Sequence, residues 1–322
     1  MNKFVYADNA ATTRITEEVL QEMMPYLTEN YGNASSLYSL GVKSAQAIDK
    51  ARKQVANALN ADPFEIIFTG CGTESDNWLK MFAKRLQKKG KTHLITTVVE
   101  HHALLHTMAR LEKEGFTVTY LPINKDGFIS VEDFRNAITE ETGLVSIMFA
   151  NNEIGTIEPI KEIGAIAKKH GVLFHTDAVQ AAGHLHINVK EQNIDMLSLS
   201  GHKFHGPKGV GALYVRRGIP LVNIIEGGAQ ERGKRAGTEN IAGICGMAAA
   251  MKDACDHIDE NMPRVAAMRD KLIAELSKIP HSALNGDPVN RLPGNVSFCF
   301  EGIEGESLLL LLDYKGVSAS SG

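Results

Sequence analysis

Cysteine is scarce and scattered in this chain. Cys71, Cys245, Cys255 and Cys299 are the only four, and no two stand in a C-x-x-C spacing. That excludes a disulfide framework and a zinc site, and it fits a reducing compartment. A surplus of positive charge is missing as well. The formal net charge is −4 and no basic stripe stands out, which argues against nucleic acid as the main partner. The short run Lys84-Arg85, Lys88-Lys89, Lys91 reads as a solvated helix end. Long apolar runs are absent: Leu308 to Leu312 and the Gly/Ala-rich Ile241 to Met251 are too short to cross a bilayer. Met1-Asn2-Lys3-Phe4 lacks the apolar core of a signal peptide. There is no internal repeat and no low-complexity segment. The expectation is a cytoplasmic protein that acts neither on a membrane nor on nucleic acid.

What is present is an alternation of strand-length apolar runs with helical segments. The candidate strands are Glu65–Thr69, His93–Val98, Thr117–Leu121, Leu144–Phe149, Val172–Thr176, Ile194–Leu199 and Gly211–Val215. Helices are predicted at Thr16–Leu27, capped by Thr16, and at Ser44–Asn60, where Ile48, Ala51, Val55 and Leu59 recur at three- and four-residue steps. Others fall at Asn77–Lys89, Ala103–Glu114 and Ile160–His170. Apolar strands separated by helices indicate an α/β fold with a mainly parallel sheet covered on both faces. Past residue 250 the pattern changes to a helix at about Pro263–Lys278, a strand at Asn295–Phe300, a helix at Glu306–Tyr314 and an extended piece at Gly316–Ala319. This tail suggests a smaller α+β lobe. A length of 322 residues accommodates both parts.

Against that frame the polar residues at strand ends become informative. In Ser200-Gly201-His202-Lys203 a lysine stands where a strand gives way to a Gly/Pro turn. A lysine held partly desolvated forms a Schiff base with a carbonyl, and ligands of α/β sheets bind at strand ends. The loop Thr69-Gly70-Cys71-Gly72-Thr73-Glu74-Ser75-Asp76-Asn77 reads either as an anion seat at a helix start or as a capped helix after a tight turn. It lacks the G-x-G-x-x-G dinucleotide spacing. Glu100-His101-His102 follows the second strand. His102 and His106 stand four apart but without an H-E-x-x-H pattern or a third ligand, so no metal is expected. His101 at a strand end suits stacking on a flat ligand and proton movement. Asn151-Asn152 reads as a local turn. Asp177 ends an apolar strand, where a carboxylate needs a positive partner. An acid at one strand end and a Schiff-base lysine at another are what pyridoxal 5'-phosphate requires: a partner for its ring nitrogen and an amine for its aldehyde.

With these residues on view the chain resembles the cysteine desulfurases of the NifS/IscS type, in the class V aminotransferase family of fold-type-I pyridoxal phosphate enzymes. The likeness runs the whole length: Ala7-Asp8-Asn9-Ala10-Ala11-Thr12-Thr13, Gly32-Asn33-Ala34-Ser35-Ser36, Gly72 to Asn77, Glu100-His101, Asn151 to Gly155, Asp177-Ala178-Val179-Gln180, Ser200 to Lys203 and Arg232 to Asn240. It implies a large domain, residues 16–250, with a mainly parallel seven-stranded sheet, and a small domain formed by residues 1–15 with 251–322. It implies that Lys203 carries the cofactor, Asp177 pairs with the pyridine nitrogen, His101 stacks and assists proton transfer, and Gln180 bonds the phenolic oxygen. Asn152 would lie near that oxygen and the substrate. Gly72, Thr73, Ser200 and His202 would hold the phosphate, and Thr238 would reach the phosphate of a neighbouring subunit in a homodimer with shared sites. The implied substrate is L-cysteine, converted to L-alanine, with sulfur passed to a protein thiolate and on to an acceptor such as an iron–sulfur scaffold.

The departures set further expectations. The nucleophilic cysteine of the family follows a Ser-Ser-Gly, which here is Ser320-Ser321-Gly322; it would fall three residues further on, and the substrate-carboxylate arginine beyond it. The expectation is therefore an incomplete chain, with selenocysteine lyase or a cofactor-binding protein without sulfur transfer as alternatives. Tyr38 stands where many relatives carry histidine, and Cys71 occupies a turn position that usually holds a small residue. Cys245 and Cys299 read as core residues, the usual fate of a free cysteine.

Overall fold

The computed structural model describes residues 4–321; the expectations that concern Met1 to Lys3 and Gly322 lie outside them. Two small strand pairings and one large sheet organise the described chain. Strand β1 (Val5–Tyr6) is followed by helices α1 (Glu17–Thr28) and α2 (Ser39–Ala58), then β2 (Ile66–Thr69), α3 (Gly72–Asn77), α4 (Leu79–Gln87) and β3 (His93–Thr97). Next come α5 (His102–Lys113), β4 (Thr117–Leu121), α6 (Val131–Ala137), β5 (Thr142–Ser146), α7 (Ile160–His170), β6 (Leu173–Asp177), β7 (Met196–Ser200) and β8 (Gly211–Val215). The short α8 (Gln230–Gly233), α9 (Ile241–Asp256), α10 (Ile258–Leu276), β9 (Ser282–Leu284), β10 (Phe298–Phe300), α11 (Gly305–Tyr314) and β11 (Val317–Ser318) complete it.

The seven-stranded sheet has the order β2-β8-β7-β6-β5-β3-β4. Only β8 runs antiparallel to its neighbours, so the expected mainly parallel sheet is present. Alternate residues of each strand feed two cores. Phe68, Leu197, Leu199, Ala212 and Tyr214 pack with α1, α2, α7 and α9 on one face. Ile67, Met196, Leu213 and Val215 pack with α4 and α5 on the other. This two-sided burial is why the strands read as continuous apolar runs. The chain moves outward from β3 to β4, then returns to place β5 on the other side of β3. That reversal opens a crevice at the carboxyl ends of the strands, where ligands of such sheets bind.

Several elements differ from the sequence expectation for identifiable reasons. Helix α1 begins after Thr16, whose hydroxyl accepts from Val19 N, as predicted. Helix α2 starts five residues early because its first turn packs through Gly41 rather than through an apolar side chain; a Cβ there would come 2.5 Å from Ser36 O. The helix predicted over Asn77–Lys89 is observed as α4, and the separate α3 ends ahead of it at Trp78, a fully buried ring whose Nε1 donates to Val222 O at 2.6 Å. Helix α10 starts at Ile258, so Pro263 falls in its second turn instead of marking its start. Strand β10 is shorter than expected, pairs antiparallel with the unforeseen β9, and turns Cys299 outward. Cys299 is therefore not a core residue, whereas Cys245 is buried on α9. The final extended piece forms β11, which pairs in parallel with β1 and thus ties the two ends of the described chain together.

A buried ion pair braces the segment ahead of α9. Arg52 on α2 donates from Nη1 and Nη2 to Glu231, both at 2.7 Å, and Glu231 also accepts from Phe68 N at 3.0 Å. Glu231 and Arg232 both adopt left-handed backbone, φ 45° and 58°, a conformation that residues with a Cβ hold only when their surroundings impose it. Removing one partner of such a pair leaves an uncompensated buried charge. Arg52→Ala should therefore lose about 3 to 5 kcal/mol of stability, read as a lowered urea midpoint; a loss below about 1 kcal/mol, the size of a surface pair, would contradict this account.

Candidate active site

Lys203 occupies the last position of a single 3-10 turn, Gly201–Lys203, that follows β7. The preceding part of the chain crosses this turn as a strap. Thr13 donates from N and Oγ1 to His202 O at 2.9 and 2.8 Å, and its hydroxyl accepts from His205 N at 2.7 Å. His202 Nδ1 meets Thr12 Oγ1 at 3.1 Å. The Lys203 amine donates to Ala10 O and, at 3.0 Å, to Ala11 O. Gln180 Nε2 donates to the same Ala10 carbonyl at 2.9 Å. The lysine is thus held by neutral acceptors. Burial pushes its pKa down, against the pull of Asp177 and Asp8, which favours the free amine that nucleophilic chemistry needs.

Asp177 ends β6, one strand away from Lys203. It is 6% exposed and Oδ1 accepts from Val179 N at 2.9 Å. Burial raises its pKa, while the Val179 N–H and the nearby His101 and Lys203 hold it down. His101 caps α5: its Nδ1 accepts from Ala103 N at 3.1 Å, so in the neutral ring the proton sits on Nε2. His101 and Thr73 line one open cavity of about 480 Å³ together with Asn77, Lys80, His102 and His106. Gly72 opens α3 and is pressed against the same corner. A Cβ there would come 2.7 Å from Val179 Cγ2 and 3.5 Å from Ser200 Cβ, so the close approach of three loops requires glycine. Ser200 is buried at the end of β7. Burial, aided by Lys203 and Lys208, lowers His202 to about 4 and keeps it neutral.

The structure therefore gathers Lys203, Asp177, Gln180, Ser200 and Gly72 at adjoining strand ends and puts Thr73 and His101 in one recess beside them. Asn152 is only half-buried, and its carbonyl accepts from Asn295 Nδ2 at 3.4 Å. Its neighbour Asn151 is the structural member of the pair, bonded to Val99 O, Glu153 N and Ile154 N. Thr238 is exposed on the loop between α8 and α9, and no hydrogen bond among the described residues joins it to the turn of Lys203. That loop is fastened to the corner through Arg235, which donates to both oxygens of Glu74 at 2.9 and 3.1 Å; Glu74 also accepts from Gly70 N at 2.7 Å. Among the described residues no three His, Cys, Asp or Glu side chains form a metal-sized cluster, and no helix is long and apolar enough to cross a membrane.

Sequence reasoning missed two features. One is the strap, for which the only signal was the small-residue run Ala10-Ala11-Thr12-Thr13 with no stated role. The other is a buried polar layer under Asp177. His175 bridges Ser146 Oγ and Ser198 Oγ, each at 2.9 Å, and Asp76 and Glu100 lie buried beside it. A histidine within the apolar run Leu173–Thr176 was the available hint.

The chain belongs to the aminotransferase class-V family, which it matches over residues 5–322. Within that family it groups with the cysteine desulfurases of the NifS/IscS type. It is 57% identical to the cysteine desulfurase IscS of Clostridium botulinum, with all of this chain aligned to 82% of that protein. It is also 57% identical to the cysteine desulfurase IscS of Methanosarcina thermophila, covering 80% of it. A solved NifS-like protein superposes with a TM-score of 0.96 at 41% identity, over 99% of this chain and 87% of the other. SspA in complex with cysteine gives 0.86 at 38% identity, over 99% and 89% of the two chains.

Burial lowers the pKa of His175 to about 3. The unfolded chain then binds a proton near pH 6.5 that the folded protein refuses, so this residue makes stability fall as pH drops from about 6.5 toward 3, by about 1.4 kcal/mol per pH unit at most. His175→Gln can still bond both serines and should flatten the acid limb of a plot of urea midpoint against pH. An unchanged slope between the two proteins would show that His175 is protonated in the fold.

Proposed function

We propose that this chain is a pyridoxal 5'-phosphate-dependent cysteine desulfurase that converts L-cysteine to L-alanine and delivers the sulfur to a protein thiolate. The observation that carries the reading is the desolvated Lys203 amine beside the buried Asp177 carboxyl at neighbouring strand ends. The residues fit the group: an amine for the aldehyde, an acid for the ring nitrogen, and a corner at Gly72 too tight for any Cβ but rich in donors for a phosphate.

When bound, pyridoxal phosphate supplies the electron sink for the carbanion left when the substrate loses its Cα proton. The protein does the rest. Lys203 would hold the cofactor, and its amine, once free, would take the Cα proton of the substrate. Asp177 stabilises the protonated ring nitrogen. His101, with Nδ1 engaged by the helix cap, offers its Nε2 for stacking and proton transfer. Gln180, whose amide donates to Ala10 O in this structure, would hold the phenolic oxygen. Thr73, Ser200, His202 and the backbone at Gly72 hold the phosphate, Asn152 contacts the substrate, and Thr238 serves the phosphate of the partner in a homodimer. This assignment divides the chain into a large cofactor-binding domain, residues 16–250, and a small domain, residues 1–15 with 251–322.

The thiol that takes the sulfur is a separate question. Burial raises Cys245 and Cys255 to about 11, leaving a thiolate fraction of about one in ten thousand at neutral pH. Cys299 is exposed but engaged with the Asn285 amide at 3.3 Å, and Cys71 sits half-buried at the start of α3. Two of the four are thus kept as thiols by burial, one is tied to a neighbouring amide and one is half-buried at a helix start. The destination we favour is iron–sulfur cluster assembly in the cytoplasm, which follows from the resemblance.

Lys203→Ala should abolish the yellow absorbance and the borohydride-reducible link between protein and cofactor. A variant that still forms that link would place the Schiff base on another lysine and overturn the reading. Thr238→Ala should weaken cofactor retention during dialysis by about tenfold, the worth of one hydrogen bond to a charged group. Unchanged retention together with a monomeric mass in solution would remove the shared site.

A further inference from the structure

The buried layer beneath Asp177 contains more acid than the proposed chemistry uses. Asp76 on α3 is 1% exposed, and its Oδ1 has no hydrogen-bond partner among the described residues. It lies 3.8 Å from His175 Nε2, too far for a hydrogen bond, and that nitrogen is already committed to Ser198 Oγ. His175 and Asp177 are two apart on β6 and share one face of the strand. The register sets Ser198 of β7 against Asp177. Asp76, His175, Ser198 and Asp177 therefore form one buried polar cluster. Glu100 faces it too: Oε1 accepts from Thr97 Oγ1 at 2.9 Å and Met148 N at 2.8 Å, while Oε2 is unpartnered.

Two buried carboxylates that oppose each other do not both ionise readily, because each disfavours the charge of the other and burial disfavours both. The charge settles where it is best met. Asp177 has the Val179 N–H and the positive side of Lys203 and His101. Asp76 has no cation: Asp177 and His175 face it from β6, Glu100 from the segment after β3, and Cys71 from the turn before α3. His175 stays neutral in its burial, and Glu100 is itself opposed by Asp177 and Glu158. Burial, Asp177, Glu100 and Cys71 thus oppose ionisation of Asp76, and the Ser198 hydroxyl, which favours it, is outweighed.

We infer that Asp76 is a positioning residue that acts through Asp177: it keeps the one proton the pair shares, and so fixes Asp177 as the carboxylate that meets the ring nitrogen. This rests on the cofactor reading above for its consequence but not for its test. Infrared spectroscopy of the apoprotein at neutral pH resolves the carbonyl stretch of a buried protonated carboxyl from amide and carboxylate bands. Asp76→Asn, nearly isosteric with the protonated acid, should lose one such band, while Asp177→Asn should keep it. Should Asp76→Asn fail to fold, the Asp177→Asn protein still decides, since loss of that band there puts the proton on Asp177 and overturns the inference.

A second readout uses linkage. With its folded pKa raised, Asp76 binds a proton in the fold that the unfolded chain has released, so it makes stability fall as pH rises above about 4. Asp76→Asn lacks that slope. It should melt above the unmodified protein by a margin that widens from pH 4 to neutrality. A variant that melts lower by a constant amount, with the bands unchanged, overturns the inference. Because both measurements use apoprotein, a Lys203→Ala result that sinks the cofactor reading leaves them intact.

Discussion

The amine of Lys203, half-stripped of water and set beside a buried carboxyl, is the constraint on which the surrounding architecture depends. Neither group is comfortable alone. An ammonium loses hydration in this turn and a carboxylate loses it at the end of β6. The sheet keeps them adjacent because β6 and β7 are neighbouring parallel strands that end on the same edge. A strand order with β6 and β7 apart would leave each with a desolvation penalty and no counter-charge. The antiparallel β8 matters in the same way, since it carries the chain back from the turn without placing another loop over the lysine.

The strap over the turn also joins it to the β1–β11 ribbon. Residues Ala10 to Thr13 hold the lysine turn, and a few residues earlier β1 pairs with β11. Ser320 adds a bond to Asp8 at 2.7 Å. One short stretch of backbone therefore joins the reactive amine to the far end of the described chain. A shift of the β1–β11 ribbon would pass directly to the carbonyls that cradle Lys203. Both Lys203 and Gln180 spend a donor on the one carbonyl of Ala10.

The sheet was legible because its strands are buried on both faces and so appear as unbroken apolar runs; β4 and β8 were found to the residue. Lys203 and Asp177 were legible because polar residues at the ends of such runs are costly and need a reason. What stayed hidden has a common physical basis. The early turn of α2 and the break at Trp78 are set by close packing at Gly41 and by one indole hydrogen bond, neither of which has a period. Strand β9 is three residues long, shorter than any pattern resolves. Cys299 was misread because a two-stranded ribbon buries one face only, so an apolar triplet there says nothing about the middle residue. The strap works through backbone carbonyls, which every residue possesses.

The deeper layer shows why a buried acid cluster is tolerated under an active site. Asp76, Glu100 and Glu158 each leave one oxygen without a partner, and Glu158 is raised to about 7. As anions they would repel Asp177 and destabilise the sheet. As neutral acids they are compact polar groups, and their suppressed charge leaves Asp177 as the acid of the layer that the nearby His101 and Lys203 help to ionise. Hydrophobic replacements would fill the same volume, but they would not resist ionisation of Asp177 by answering it with their own protons. The selective charge of one carboxyl among several, set by a single N–H and two nearby bases, is what allows the strand end to receive a cationic ring.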